Sequence, residues 1–181
     1  MRVELVLAAL VFASGPVWAG EDYGLGRSAT PDEIAGWNID IAPDGAGLPA
    51  GKGGVADGGR IFARKCAACH GSRGEGKPMD ALVGGAGTIA TGKPLKTVGS
   101  YWPYATTLFD YVRRAMPFDA PQSLANDDVY AVSAYVLWLN NIVPEDIVLD
   151  AQTLPRVVMP NREAFVSAYQ PRATAPDKTT P

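Results

Sequence analysis

Cys66-Ala67-Ala68-Cys69-His70 contains both cysteines and the only histidine of this chain. The spacing Cys-x-x-Cys-His is the attachment signature of a c-type haem. Two thiols three residues apart lie on one helical turn, where each can add to a vinyl group of the haem, and the imidazole that follows can bind the iron. The sequence therefore predicts one covalently bound haem c, attached at Cys66 and Cys69, with His70 as an iron ligand.

Three other interpretations of this stretch are weaker. A closed zinc site needs four protein ligands, and two cysteines and one histidine supply three. A thioredoxin-like redox pair stands beside a strand-helix-strand pattern, whereas glycine-rich loops flank this motif. A structural disulfide would leave His70 without a role.

The start of the chain has the features of a secretory signal peptide. Residues 5–17 form an apolar run, and Val17-Trp18-Ala19 before Gly20 fits the small-residue rule of a cleavage site. The run is shorter than the roughly 20 residues that cross a bilayer. An uncleaved membrane anchor stays open as an alternative. A signal peptide carries positive charge before its apolar run, and here the single Arg2 is offset by Glu4. We expect cleavage after residue 19, export to the periplasm and a mature form with no membrane span.

The formal net charge of −3 is too small to indicate nucleic acid or an anionic membrane as a partner. The charge is unevenly distributed: residues 20–56 carry six acidic and two basic residues, whereas residues 57–141 carry seven acidic and nine basic ones. The chain is expected to consist of four regions, namely a signal peptide (1–19), an N-terminal extension (20–55), a haem domain (56–141) and a C-terminal strap and tail (142–181).

The N-terminal extension has one clear local pattern. Thr30-Pro31-Asp32-Glu33 is typical of a capping box, with Thr30 as the N-cap and Glu33 reaching back to it. A short helix through Trp37 should follow. Two roles stay open for it: packing on the core through Trp37, or docking on a partner protein.

The haem domain should begin with a helix over residues 57–65, in which Gly59 leaves room for another helix to cross closely. Residues 71–78 form a loop because of their glycines and proline. A ligating histidine usually donates its second ring N–H to a carbonyl or carboxylate. The carbonyl of Pro78 or of a neighbouring residue is the expected acceptor for His70.

Two further helices complete this domain. Thr106 or Thr107 is expected to cap a helix that stops at Met116, because Pro117 disfavours helical geometry in the residue before it. Asn126 should open a last helix, to about residue 139 or 141, that is apolar on two faces and so largely buried. Residues 142–181 show no sustained periodicity of apolar residues. They predict an extended strap that frays beyond Pro171.

The order of the Cys-x-x-Cys-His motif, the Met116-Pro117 loop and a terminal helix resembles that of class I cytochromes c. This resemblance implies an all-α fold, a small helical bundle around the haem, here with extended N- and C-terminal arms. In that class the sixth iron ligand precedes the terminal helix. The resemblance therefore favours Met116 as the second protein ligand of the iron.

A closer resemblance covers most of the mature chain, from about residue 23 to residue 165. The stretches that carry it are Val98-Gly99-Ser100-Tyr101-Trp102-Pro103-Tyr104-Ala105-Thr106-Thr107, Arg113-Arg114-Ala115-Met116-Pro117-Phe118, Pro121-Gln122-Ser123-Leu124 and Met159-Pro160-Asn161-Arg162. They are similar to the cytochrome subunits of Sox-type sulfane or sulfite dehydrogenases. The resemblance implies a separate molybdenum-cofactor subunit that oxidises the sulfur compound, and a downstream acceptor such as another cytochrome c. Sulfane and sulfite both stay open as the substrate.

Three methionines remain as candidates for the sixth ligand once Met1 leaves with the signal peptide. Met79 follows His70 too closely to reach the opposite haem face. Met159 lies in the strap and stays open as an alternative to Met116. A thioether opposite an imidazole raises the reduction potential and closes the iron to substrate. We therefore expect no catalytic residue.

Aromatic and basic residues near the haem can contact its propionates. Trp102 is predicted to bind the cofactor through its indole N–H, and Tyr104, Arg113 and Arg114 are further candidates for hydrogen bonds or ion pairs. The alternative is that the aromatic rings only pack and that the arginines are solvated.

Two functions from different classes follow. The first is the electron-accepting subunit of a molybdenum-dependent sulfur-compound dehydrogenase that passes electrons to the respiratory chain, and the acidic extension and the strap favour it. The second is a freely diffusing cytochrome with several partners. Its docking face would comprise Arg60, Arg64, Lys65, Arg73 and Lys77. The alternative is that these charged residues form an ordinary solvated surface.

Overall fold

The computed structural model describes residues 25–166. The predictions for the signal peptide (1–19) and for fraying beyond Pro171 fall outside that range. The chain divides into two compact units, one ending at Asn38 and the other beginning at Ile39. No helix within residues 25–166 is long and apolar enough to cross a membrane.

The first unit contains one short helix, α1 (Pro31–Trp37), which begins with the predicted capping box. The Glu33 backbone N–H donates to Thr30 Oγ1 at 3.3 Å, and the Thr30 backbone N–H donates to the Glu33 carboxylate at 2.8 Å. Arg27 forms an ion pair with the same carboxylate at 2.5 Å. This ion pair and the bond from Thr30 lower the pKa of Glu33 to about 2, so the cap stays charged at neutral pH.

The second unit is largely helical. Its helices are α2 (Val55–Lys65), the one-turn α3 (Ala67–His70), α4 (Ala105–Ala115) and α5 (Asn126–Leu139), followed by a short 3-10 turn (Leu154–Arg156). Two three-residue strands, β1 (Lys52–Gly54) and β2 (Val148–Asp150), pair antiparallel with Gly53 opposite Leu149. The pairing joins the chain before α2 to the strap after α5.

The crossing of α2 and α5 is close because two glycines of α2 face α5. Gly58 is buried, and a Cβ there would overlap the backbone carbonyl of Ala131. At Gly59 a Cβ would lie 3.1 Å from the ring of Tyr135. The predicted close crossing is therefore present, but its tightest point is Gly58, one residue before the position that the sequence suggested.

The ends of α4 and α5 differ in part from the predictions. Tyr104 is the N-cap of α4 and forms no side-chain cap, so the predicted cap at Thr106 or Thr107 is wrong. Thr106 is buried instead, and its hydroxyl donates to the Pro43 carbonyl at 3.4 Å. Met116 is extended (φ −123°, ψ 144°) as Pro117 requires.

Helix α5 forms the centre of the core, as its two apolar faces predict. Eight of its residues are buried, from Val129 to Leu137. Its first residue, Asn126, does not act as the N-cap: Ala125 holds that position, and the Asn126 amide donates to the Ala50 carbonyl at 3.3 Å. Tyr130 donates to the Pro49 carbonyl at 2.8 Å, and burial of the phenol raises its pKa to about 12.

The strap packs into the core as well as over it. Leu149, Leu154 and Met159 are all fully buried. Beyond them, the Asn161 amide donates to the Tyr101 carbonyl at 2.7 Å. The strap therefore contributes to the stability of the helical unit rather than only flanking it.

Replacing Gly58 with Ala should lower the free energy of unfolding by about 1–3 kcal/mol, because the new methyl group forces α2 away from α5. Gly36→Ala in α1 is the matched control, since a Cβ at Gly36 meets nothing within 4 Å. That variant should be neutral or slightly stabilising, because alanine favours helix. Guanidinium unfolding of the mature protein measures both, and equal stabilities for the two variants would contradict the close crossing.

Candidate functional site

The Cys-x-x-Cys-His motif lies where α2 ends and the one-turn helix α3 begins. Cys66 caps α2 with φ −122° and ψ −36°, which breaks the helix before the chain turns again. The backbone N–H groups of Cys69 and His70 both donate to the Cys66 carbonyl, at 3.1 and 3.0 Å. This single turn brings the two cysteines and the histidine together, as the spacing predicts.

The two thiols lie in different environments. Both are free, with Cys66 half-buried beside the core and Cys69 exposed. Burial, together with the neighbouring Cys69, raises the pKa of the Cys66 thiol to about 11. Cys66 is therefore a neutral thiol at neutral pH.

The ring of His70 is oriented by a backbone carbonyl. Nδ1 lies 2.8 Å from the carbonyl oxygen of Asp80. Because a carbonyl can only accept, Nδ1 carries the proton and Nε2 keeps a free lone pair for a metal. The acceptor of the His70 ring N–H is thus the carbonyl of Asp80, two residues beyond Pro78.

The loop after His70 folds back on the motif, and this places Asp80 beside the ring. The Gly76 N–H donates to the His70 carbonyl at 2.8 Å, and the Met79 N–H donates to the Cys69 carbonyl at 2.9 Å. Glu75 fixes the first turn of the loop, because its carboxylate accepts from the Arg73 N–H at 2.7 Å. Hydrogen bonds from the backbone N–H of Glu75 itself and from that of Arg73 lower the pKa of the Glu75 carboxyl.

Of the remaining predicted site residues, Trp102 lies just before α4 and Met116 directly after it. Trp102 is half-buried, and its indole meets the Tyr111 ring edge-on with 5.7 Å between the ring centroids. Met116 follows α4 and packs, half-buried, against the core. Met159 is 1% exposed inside the core, and Met79 is 54% exposed in the loop. The cofactor contact of Trp102 and the iron ligation by Met116 stay predictions.

Two of the further propionate candidates are already engaged with other side chains. Arg114 forms ion pairs with Asp110 at 2.8 Å and with Asp40 at 2.6 Å. Tyr104 has the Arg162 guanidinium over its ring at 5.3 Å from the centroid. Arg114 therefore ties α4 to the segment near Asp40, a role that the sequence pattern did not suggest.

The donor set fits a covalently bound c-type haem. Cys66 and Cys69 supply two free thiols on one turn, and His70 supplies a free Nε2 whose ring is held by a hydrogen bond at Nδ1. The backbone of this turn thus already holds the residues that would bind the haem. A carbonyl that accepts a hydrogen bond from Nδ1 of a ligating histidine sets the tautomer and raises the basicity of the ligating nitrogen.

Comparison with known proteins agrees with this arrangement. The cytochrome c family model matches residues 55–140. A chain in the crystal structure of the sulfane dehydrogenase SoxCD from Paracoccus pantotrophus is 44% identical, with a TM-score of 0.77, over 85% of this chain and 76% of that chain. No curated protein matches at a significant level.

The chain belongs to the class I c-type cytochromes, and its all-α architecture is the fold of that class. Within the class it resembles Sox proteins, through its likeness to the SoxCD chain. The family implies covalently bound haem c and a role in electron transfer. The fold class and the resemblance inferred from the sequence are thereby confirmed.

Haem should stay on the polypeptide after denaturation, because thioether bonds survive unfolding. Denaturing gels stained for haem peroxidase activity measure this. The double variant Cys66→Ala with Cys69→Ala should show no stain and little mature protein, since binding of the haem is expected to be coupled to folding. Met79→Ala, in the same loop region but exposed, is the control and should stain like the wild type. A colourless wild-type band would contradict covalent attachment.

Proposed function

We propose that this chain is a periplasmic, monohaem cytochrome c that serves as the electron-accepting subunit of a molybdenum-dependent sulfur-compound dehydrogenase. It would pass the electrons to a downstream acceptor of the respiratory chain, such as another cytochrome c. The observation that carries the proposal is the 44% identity to a chain of the sulfane dehydrogenase SoxCD, over most of both chains.

One haem is proposed because the chain has only two cysteines, both in one motif. Haem c supplies one-electron chemistry between ferrous and ferric iron. In this proposal Cys66 and Cys69 hold the porphyrin, His70 binds the iron through Nε2, and Trp102 contacts the propionates. The hydrogen bond from His70 Nδ1 to the Asp80 carbonyl keeps the imidazole in the tautomer that leaves Nε2 free.

Met116 is proposed as the second iron ligand. Pro117 holds it extended at the end of α4, where it is half-buried beside the core. Met159, by contrast, is 1% exposed and belongs to the hydrophobic core, which favours a structural role for it. A thioether ligand favours the ferrous state and so suits an electron acceptor.

The two arms are proposed as the contacts with the catalytic subunit. The N-terminal extension is acidic, with six acidic and two basic residues over 20–56. The strap exposes Val148, Val158, Phe165 and Val166, whereas Leu149, Leu154 and Met159 are buried. Exposed apolar side chains on an ordered strap suit a lasting interface more than a transient one.

The alternative function, a freely diffusing electron carrier, has one observation in its favour. All five basic residues of the candidate docking face are exposed, namely Arg60, Arg64, Lys65, Arg73 and Lys77. Arg60, however, is paired with Asp57 on α2, which reduces its contribution. A transient carrier would also not need an ordered strap with exposed apolar residues.

Met116→Ala should abolish the methionine-iron absorption band and lower the reduction potential, because the soft thioether is lost while His70 stays bound. Met159→Ala is the matched control: it should keep the spectrum and potential but lower the free energy of unfolding by about 2–5 kcal/mol, as for a buried methionine. Visible spectra and redox titration of both variants measure the difference. The opposite spectral result would assign the ligand to Met159.

The wild-type protein purified from its native periplasm should elute in a stoichiometric complex with a molybdenum protein. Mass spectrometry of the purified chain should show a mature N-terminus at Gly20 and the mass of one haem. Replacing exposed apolar side chains of the strap, with Val158→Ser and Phe165→Ser, should release the partner without changing the haem spectrum. A monomeric wild-type cytochrome that exchanges electrons with several partners would instead support the diffusing carrier.

A further inference from the structure

The side-chain amide of Asn140 joins the end of α5 to the loop that follows the haem-binding motif. Nδ2 donates to the Val136 carbonyl at 2.9 Å and to the Leu82 carbonyl at 3.1 Å. Oδ1 accepts from the Gly84 backbone N–H at 3.2 Å. Both donor hydrogens and the acceptor of the amide are therefore used, one within α5 and two on the loop.

The segment from Asp80 to Gly84 connects this amide with the iron ligand. At one end the Asp80 carbonyl accepts from His70 Nδ1 at 2.8 Å. At the other end Asn140 holds the Leu82 carbonyl and the Gly84 N–H. Only Ala81 separates Asp80 from Leu82, so a shift of the Leu82 carbonyl moves the acceptor of the His70 ring.

The amide is confined from a third direction by residues 97–100. Gly99 is buried, and a Cβ there would overlap the Asn140 amide. The buried hydroxyl of Thr97 donates to the Gly84 carbonyl at 2.6 Å, which holds the same loop from the other side. The amide thus has one position, and the loop has little freedom to move relative to α5.

We propose that Asn140 is a positioning residue for His70: it fixes the Asp80 carbonyl that orients the ring of the iron ligand. The strength of the bond from Nδ1 to its acceptor sets the basicity of Nε2. A more basic Nε2 stabilises the ferric state, so loosening the loop raises the reduction potential. This inference concerns the haem domain alone and does not depend on the identity of the catalytic partner.

A simpler role for Asn140 is that of a helix C-cap, since it also stands at the C-cap of α5. A cap contributes to folding stability but leaves the His70 bond unchanged. Under both roles, replacing Asn140 lowers the stability. Only the positioning role also changes the reduction potential and the exchange of the His70 ring proton.

Asn140→Leu keeps the size and neutrality of the side chain but removes its hydrogen bonds. In the holoprotein we expect the reduction potential to rise, and the His70 Nδ1 proton to exchange about tenfold faster in nuclear magnetic resonance spectra of the ferrous form. Asn126→Leu is the matched control, because Asn126 stands at the opposite end of α5 and donates one amide hydrogen bond to a loop carbonyl, that of Ala50. It should lower stability while leaving the potential and the ring proton unchanged.

Gly99→Ala provides a second variant in case Asn140→Leu does not fold. Its methyl group should displace the Asn140 amide and shift the potential and the ring-proton exchange in the same direction. An Asn140→Leu protein with the wild-type potential and wild-type exchange would overturn the proposal. Equal shifts in Asn140→Leu and Asn126→Leu would also overturn it, because a general loss of stability would then be the cause.

Discussion

The close crossing of α2 and α5 at Gly58 and Ala131 is the contact on which the rest of this cytochrome depends. Helix α2 leads directly into Cys66, so its position relative to α5 determines where the haem-binding turn lies. Phe62 of α2 meets the Tyr135 ring with centroids 5.3 Å apart, which extends the contact towards that turn. Because α5 is buried on nearly every side, α2 has one well-defined surface on which to pack.

The haem-binding turn itself is held mainly by the backbone. Carbonyl and N–H groups orient His70 and close the loop after it, and few side chains take part. The side chains of Glu75, Asn140 and Thr97 are the exceptions, and the last two connect the loop to other parts of the fold. A ligand held through backbone hydrogen bonds keeps its geometry through changes of iron charge, which suits rapid electron transfer.

The strap distinguishes this chain from a minimal cytochrome domain. It adds β2 to β1, contributes three fully buried side chains to the core and ties Asn161 to the Tyr101 carbonyl. These contacts give the strap a fixed path, and so fix the positions of its exposed apolar residues. Order in such a segment is consistent with a defined protein partner, as in the proposed assembly with a sulfur-compound dehydrogenase subunit.

Several features of this protein follow from its sequence alone. The haem motif, the end of α4 before Pro117, the capping box at Thr30 and the burial of α5 all depend on residues within one or two turns of each other. The tertiary structure decided the features that join distant segments. The acceptor for His70 is a backbone carbonyl and so has no side-chain signature. Thr106 is buried and donates to the Pro43 carbonyl rather than acting as a cap. Gly58 rather than Gly59 makes the tightest approach because the rotation of α2 about its axis is set by packing on α5, which local periodicity does not determine.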